Sequence, residues 1–262
     1  MKKLVLLVMT VSFLGISCKQ DKDASKASTQ KTEKVASKYK LTAFSPSASF
    51  PDAEIKGVEY KEGAFKFNVA DGSYKLGTQT PDAAQKMCAN SAKGQHIHLI
   101  VDNEPYAAKY TADFDYDLED GAHNMLAFLS RSYHESIKTD QAHVAQQVIV
   151  KDKSIIKSQP ITEPALFYSR PKGTYVGKAN TNKVMLDFYP VNCSIGSTQN
   201  VIATINGEEH ILDKWQPYYI EGLPMGENQV TLSLVGKNGD KVKSIMPPVT
   251  RTFTLKADPT EQ

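Results

Sequence analysis

Gln95-His96-Ile97-His98-Leu99-Ile100-Val101-Asp102-Asn103 decides the fold, because the chain carries this segment twice. Its second copy is Gln199-Asn200-Val201-Ile202-Ala203-Thr204-Ile205-Asn206-Gly207, which lies 104 residues later. In both, apolar residues recur at every second position and a turn pair closes the run, as in a strand entering a hairpin. Downstream, Leu118-Glu119-Asp120-Gly121 matches Leu223-Pro224-Met225-Gly226 at an offset of 105. The closing runs Val148-Ile149-Val150 and Phe253-Thr254-Leu255 also correspond, and so do Phe44-Ser45-Pro46 with Phe50 and Ser169-Arg170-Pro171 with Tyr175. A repeat of this length, built from short alternating runs between Gly, Pro, Asn and Asp, predicts two copies of one β unit.

The expected fold is therefore all-β: two tandem immunoglobulin-like β-sandwich domains, residues 40–158 and 159–262, joined near Ser158 to Glu163. Only Asp82 to Cys88 has the look of a short helix. Cys88 and Cys193 fall at nearly equivalent places in the two copies. Equivalent sites in tandem domains usually lie far apart, and a disulfide needs Cα atoms within about 7 Å, so separate thiols are favoured and a bridge stays open only if those loops form the domain interface.

Residues 1–17 read as a signal peptide: two lysines, an apolar run from Leu4 to Leu14, and Ser17 before Cys18. The run is shorter than the roughly 20 apolar residues a spanning helix needs. Residues 18–39 read as a lipidated cysteine and a disordered tether, whose apolar content is little more than alanine and which has nothing to bury. Lys and Arg number 31 against 29 Asp and Glu, for a net charge of +2, which excludes a field that steers nucleic acid.

Cys18 in this setting resembles the lipid-attachment site of bacterial lipoproteins, with Gly15 where that motif usually has Leu. Lys19-Gln20-Asp21-Lys22-Asp23 resembles the charged surface-export tags of Bacteroidota. The resemblance implies a cell-envelope protein held to a membrane, the outer membrane being expected, by lipid on Cys18.

Five of the six histidines lie in the first copy. His96 and His98 share one side of a strand, a spacing at which two imidazoles can hold one copper or zinc ion, and His134 is a third candidate ligand from a loop. Ile97, Leu99 and Val101 form the apolar side, so the two histidines face the other way. His123 shares parity with Met125, Ala127 and Leu129 and needs a bulge to join them. The second copy has Asn200 for His96 and Asn228 for His123, which points to a shared role in pinning loops. Copper or zinc is the one cofactor the sequence suggests; otherwise none is expected.

Gly94, His96, His98, Leu99, Ile100 and Asp102, followed by Leu118, Gly121 and His123, resemble an uncharacterised bacterial family with a His-rich G-x-H-H-H-L-I-D motif and an L-P-x-G-x-H-T-L strand. The likeness spans residues 42–150, with Ile97 in place of the middle histidine, and implies a β-sandwich without an assigned activity.

Other candidates are weaker. Ser130, Arg131 and Ser132, before Tyr133 and His134, resemble the S-R-x-H of forkhead-associated domains and are read as a candidate phosphate or phosphopeptide grip. Asp113, Asp115 and Asp117 alternate with aromatics, and Leu118 stands where a calcium loop needs Gly. No nucleophile motif is present, and a catalytic role is not expected. The sequence reads as a non-enzymatic envelope lipoprotein with a binding or structural role. Its expected partners are the membrane and an unidentified protein, peptide or small ligand.

Overall fold

The computed structural model describes residues 37–261. The stretch read as a signal peptide, Cys18, and the part of the expected tether up to residue 36 lie outside the described residues. The strands are β1 (Lys40–Ala43), β2 (Ile55–Lys61), β3 (Ala64–Val69), β4 (His96–Val101), β5 (Ala107–Lys109), β6 (Asp113–Asp115), β7 (Gly121–Ser130), β8 (His143–Lys151) and β9 (Ser154–Pro160). After a short connection come β10 (Ala165–Arg170), β11 (Gly173–Val176), β12 (Val184–Val191), β13 (Gln199–Ile205), β14 (Glu208–Leu212), β15 (Tyr218–Glu221), β16 (Gly226–Gly236) and β17 (Val249–Lys256).

They form two immunoglobulin-like sandwiches. In the first, sheet β2-β3-β6 packs on sheet β5-β4-β7-β8-β9. In the second, sheet β1-β15-β12-β10 packs on sheet β11-β17-β16-β13-β14. The alternation read from the repeat sets both cores. Ile97 and Leu99 meet Ala127, Leu129, Phe65 and Phe67 inside the first. Val201, Ala203 and Ile205 meet Val230, Leu232 and Phe253 inside the second. Equivalent turns follow the equivalent strands. Asp102 and Asn103 have φ of 50° and 59°, and Asn206 and Gly207 have 45° and 89°. Left-handed backbone at both central residues is what a tight hairpin requires, and Asn, Asp and Gly adopt it at least cost.

Side chains repeat the correspondence. Asp102 Oδ1 accepts from Asn124 N at 2.8 Å, and Asn206 Oδ1 accepts from Gln229 N at 2.8 Å. His123 sits against Asp102 at 2.6 Å, and Asn206 Nδ2 donates to Asn228 Oδ1 at 2.8 Å. Burial would lower the His123 pKa, but its hydrogen bonds to Asp102 and to the Glu119 carbonyl raise it overall. His123 and Asn228 thus pin equivalent turns.

The copies differ in what covers their second face. Every residue of β4 is buried, whereas Ile202 and Thr204 of β13 are half-exposed. The outer side of β4 and β7 packs against the second sandwich in a junction core of Ile100, Tyr106, Leu126 and Phe128 with Phe167 and Tyr189. Phe128 stacks on Tyr189 at 5.1 Å. Polar groups lock the same junction. Asn103 donates to the Leu166 carbonyl at 2.9 Å and accepts from Tyr168 N at 2.8 Å. Asp187, fully buried on β12, accepts from Ser136 N at 2.9 Å and pairs with Lys138 at 2.8 Å.

Two sequence-drawn boundaries shift. Lys40–Ala43, assigned from sequence to the first sandwich, pairs with β15 of the second, Leu41 opposite Ile220. β15 has β12 on one side only, so its open edge takes this extra strand. The first sandwich also runs past residue 158, because β9 stays paired to β8 as far as Pro160 opposite Gln146. Cys88 and Cys193 are both free thiols. Asp113 and Asp115 are exposed while Phe114 packs toward Phe65 and Phe67, so this run is an ordinary edge strand.

The junction core should behave as true core. Phe167→Ala removes a fully buried ring and should cost about 3–5 kcal/mol of unfolding free energy. Urea unfolding of the purified chain measures this. A loss below about 1 kcal/mol would mean that the sandwiches do not pack as described.

Candidate metal centre

Three histidines meet under the junction. His96 and His98 project from β4 on the side away from the Ile97–Leu99 core, where alternation puts them. Ser130 and Phe128 of β7 lie opposite them in register. The chain then leaves β7 and turns through Arg131 to His134, whose amide donates to the Arg131 carbonyl at 2.9 Å. His134 takes a φ of 69°, and this left-handed residue aims its ring back at the strand.

The residues read as a phosphate grip are what hold that turn. Arg131 Nη2 donates to the Ala48 carbonyl at 2.6 Å and Nη1 to the Ser136 carbonyl at 3.3 Å, and the guanidinium lies 3.7 Å from Glu135. Ser132 Oγ accepts from Thr80 N at 3.2 Å, and Ser130 Oγ donates to the Arg131 carbonyl at 3.1 Å. All three are buried. The phosphate reading is therefore corrected: these donors are spent inside the protein, and their work is to position His134.

His96 is the centre of the cluster. Its Nδ1 donates to the Gly94 carbonyl at 2.8 Å, which leaves Nε2 as a lone pair. Nε2 lies 2.8 Å from His98 Nε2 and 3.0 Å from His134 Nδ1. Gly94 has a φ of +87°, and a Cβ there would meet the Gly77 backbone at 2.6 Å, so only glycine brings that carbonyl into place. On the far side of His98, Nδ1 lies 3.3 Å from Ser169 Oγ, a residue of the second sandwich. The His98 ring stacks on Tyr106 at 3.6 Å with an interplanar angle of 10°.

Burial sets the charge state. It lowers the His96 pKa to about 4, against the hydrogen bond to Gly94, and Arg170 lowers it further. Burial lowers His98 and His134 well below 6.5, and the Arg170 and Lys172 charges act in the same direction. At neutral pH all three rings are neutral, the form that ligates metals.

The three rings lie together as candidate metal ligands. One ring nitrogen from each histidine lies within 4.8 Å of the other two. For the two pairs that include His96, 2.8 and 3.0 Å apart, an ion about 2.0–2.1 Å from each donor would subtend about 90°, while the His98 and His134 nitrogens lie within 4.8 Å of one another. Without an ion, His98 Nε2–H and His134 Nδ1–H can both donate to His96 Nε2. With one, His98 and His134 would carry their protons on the other ring nitrogen, which would free three lone pairs for the ion with no change in net charge. His134 is 9% exposed while the other two are fully buried, so its loop is the side nearest solvent.

The sequence placed His96, His98 and His134 together correctly. His123 and His143 stand apart, His123 on the Asp102 turn and His143 against Tyr189. Ser169, Arg170 and Lys172 were missed as neighbours of the cluster. The only signal for them was the correspondence of Ser169-Arg170-Pro171 with the start of the first copy.

No protein-family model matches the chain. No curated protein matches it either. Among solved structures, it is similar to the fibronectin(III)-like modules of Clostridium thermocellum CbhA, at 14% identity over 83% of this chain and 95% of that one, with a TM-score of 0.28. It is also similar to the central fibronectin-III array of RIM-binding protein, at 11% identity over 82% and 72%, with a TM-score of 0.27. A surface glycan-binding protein from the Bacteroides ovatus mixed-linkage glucan utilization locus, solved with a heptasaccharide, aligns at 10% identity over 83% and 70%, with a TM-score of 0.21.

The cluster makes stability depend on pH. Each imidazole has a lower pKa folded than unfolded, so below the unfolded value of 6.5 the unfolded chain binds more protons. The stability is complete above 6.5 and is lost as pH falls. For His96, with a folded value of about 4, the loss is about 3 kcal/mol. Metal-free protein should lose about that much more between neutral pH and about pH 4 than the His96→Gln variant does. Parallel stability profiles for the two would show that His96 is not held neutral.

Proposed function

We propose that this is a non-enzymatic, lipid-anchored binding protein of the bacterial cell envelope that holds one copper or zinc ion on His96, His98 and His134. One observation carries the metal reading: His98 Nε2 and His134 Nδ1 converge on the bare Nε2 of His96, in a buried setting that keeps all three rings neutral. A purely structural role for buried histidines is met by one hydrogen bond to each ring. Metal-free, His98 and His134 can meet it by donating to His96 Nε2, and the same three nitrogens are the ones an ion would take. The outward nitrogens of His96 and His98 are held by Gly94 and Ser169, the arrangement that orients metal-ligating imidazoles.

The full chain, stripped with chelator and equilibrated with copper or zinc, should retain one equivalent. At free metal about a hundredfold above Kd, unfolding free energy should rise by about 2.7 kcal/mol. His96→Gln with His98→Gln should abolish both effects. A native chain that keeps no metal, with a Tm indifferent to either ion, would refute the reading.

Cys18 is the proposed lipid-attachment residue and the outer membrane the proposed location, on the strength of the basic, apolar and small-residue order of residues 1–18. Cys18→Ser should move the protein from the membrane fraction to the soluble fraction of cells. Retention in the membrane would count against the anchor.

A further inference from the structure

Three neutral imidazoles accept several transition metals, so the donors alone do not choose among copper, zinc and nickel. The charges around them do. Tyr106 is sandwiched: His98 stacks on one face, and the Lys172 ammonium sits 3.8 Å from the ring centroid, necessarily on the other. The same ammonium donates to the Tyr106 carbonyl, which fixes it there. The Arg170 guanidinium lies 5.7 Å from the same ring. Arg170 is buried, with 7% of its surface exposed. It donates to Tyr175 Oη at 2.9 Å, and its Nε has no partner.

Neither cation has a carboxylate among its hydrogen bonds or ion pairs in the described residues. Two acidic groups of the junction are engaged elsewhere. Glu135, next to His134, is held by Ser47 and Arg131. Asp187 is held by Lys138 and Ser136 N. An ion on the three histidines therefore meets the positive charges of Arg170 and Lys172 and has no negative ligand among its three donors.

We infer that this arrangement selects a monovalent soft ion, Cu(I), over divalent ions such as Zn(II), with Arg170 and Lys172 as the residues that set the selectivity. The inference rests on the metal reading above. Repulsion from a fixed charge scales with the charge of the ion, so each cation penalises a divalent ion twice as much as a monovalent one. Burial keeps water and salt from screening the share of Arg170, while Lys172, half-buried, is screened more. Cu(I) is also content with few neutral donors, whereas a divalent ion here would complete its shell with water or an anion. The second sandwich thus contributes more than a lid: β10 and the turn after it carry the charges that choose the ion.

The test uses the full chain under anaerobic reducing conditions. Cu(I) and Zn(II) affinities are measured separately by competition with chromophoric chelators, for the native protein and for Lys172→Met, Lys172→Gln and Lys172→Arg. The native chain should prefer Cu(I) by at least about a hundredfold. Either neutral variant should narrow that ratio by about tenfold, by tightening Zn(II) more than Cu(I). Lys172→Arg should keep the native ratio. Equal affinity for the two ions, or neutral variants that shift both ions equally, would overturn the selectivity while leaving the metal site standing. A chain that binds neither ion would overturn both.

Discussion

The second sandwich lays Phe167 and Tyr189 against the outer side of β4 and β7, and that contact removes His96 and His98 from water. The other features of the junction follow from it. A strand with one wet face could leave polar side chains hydrated; β4 has both faces covered, so its imidazoles must be neutral and must find partners inside the protein. They find them in one another, in the Gly94 carbonyl and in Ser169. The second copy shows the same strand without that constraint. Asn200 stands where His96 does, and the strand bearing it keeps a half-exposed outer face.

Holding three histidines close requires rigidity from several directions, and the polar junction residues supply it. Arg131, Ser132 and Tyr133 anchor the turn that carries His134, through Ala48, Thr80 and Asp82. Asn103 stitches the hairpin after β4 to β10 of the other sandwich. Asp187 is an expensive group to bury, and its pair with Lys138 adds little net stability over an apolar contact. Such a pair does fix how two sandwiches dock, since any other arrangement would strand a buried charge. The burial that makes the rings good ligands also makes the folded chain sensitive to acid.

The architecture was readable because it rests on local periodicity and on a repeat. Ile97, Leu99 and Val101 announce one buried face, and the match between Asp102-Asn103 and Asn206-Gly207 announces equivalent hairpins. The pairing of His96 with His98 was readable for the same reason, since two residues apart on a strand means one side. What covers that side was not readable. Ile100 lies on the histidine side of β4, and only contact with residues some 60 positions later gives it a role. Arg131 was misread because a short motif does not reveal whether a guanidinium faces solvent or the Ala48 carbonyl. Lys40–Ala43 was placed in the wrong sandwich because strand pairing at an open edge depends on topology, which a four-residue run does not encode.

The central claim is that the junction presents three imidazole nitrogens to a single ion. X-ray absorption at the metal edge of the loaded full chain tests it most directly. The account predicts three nitrogen scatterers at about 2.0–2.1 Å, with the outer-shell pattern of three imidazole rings. A sulfur scatterer at about 2.3 Å, or fewer than three imidazoles, would contradict it.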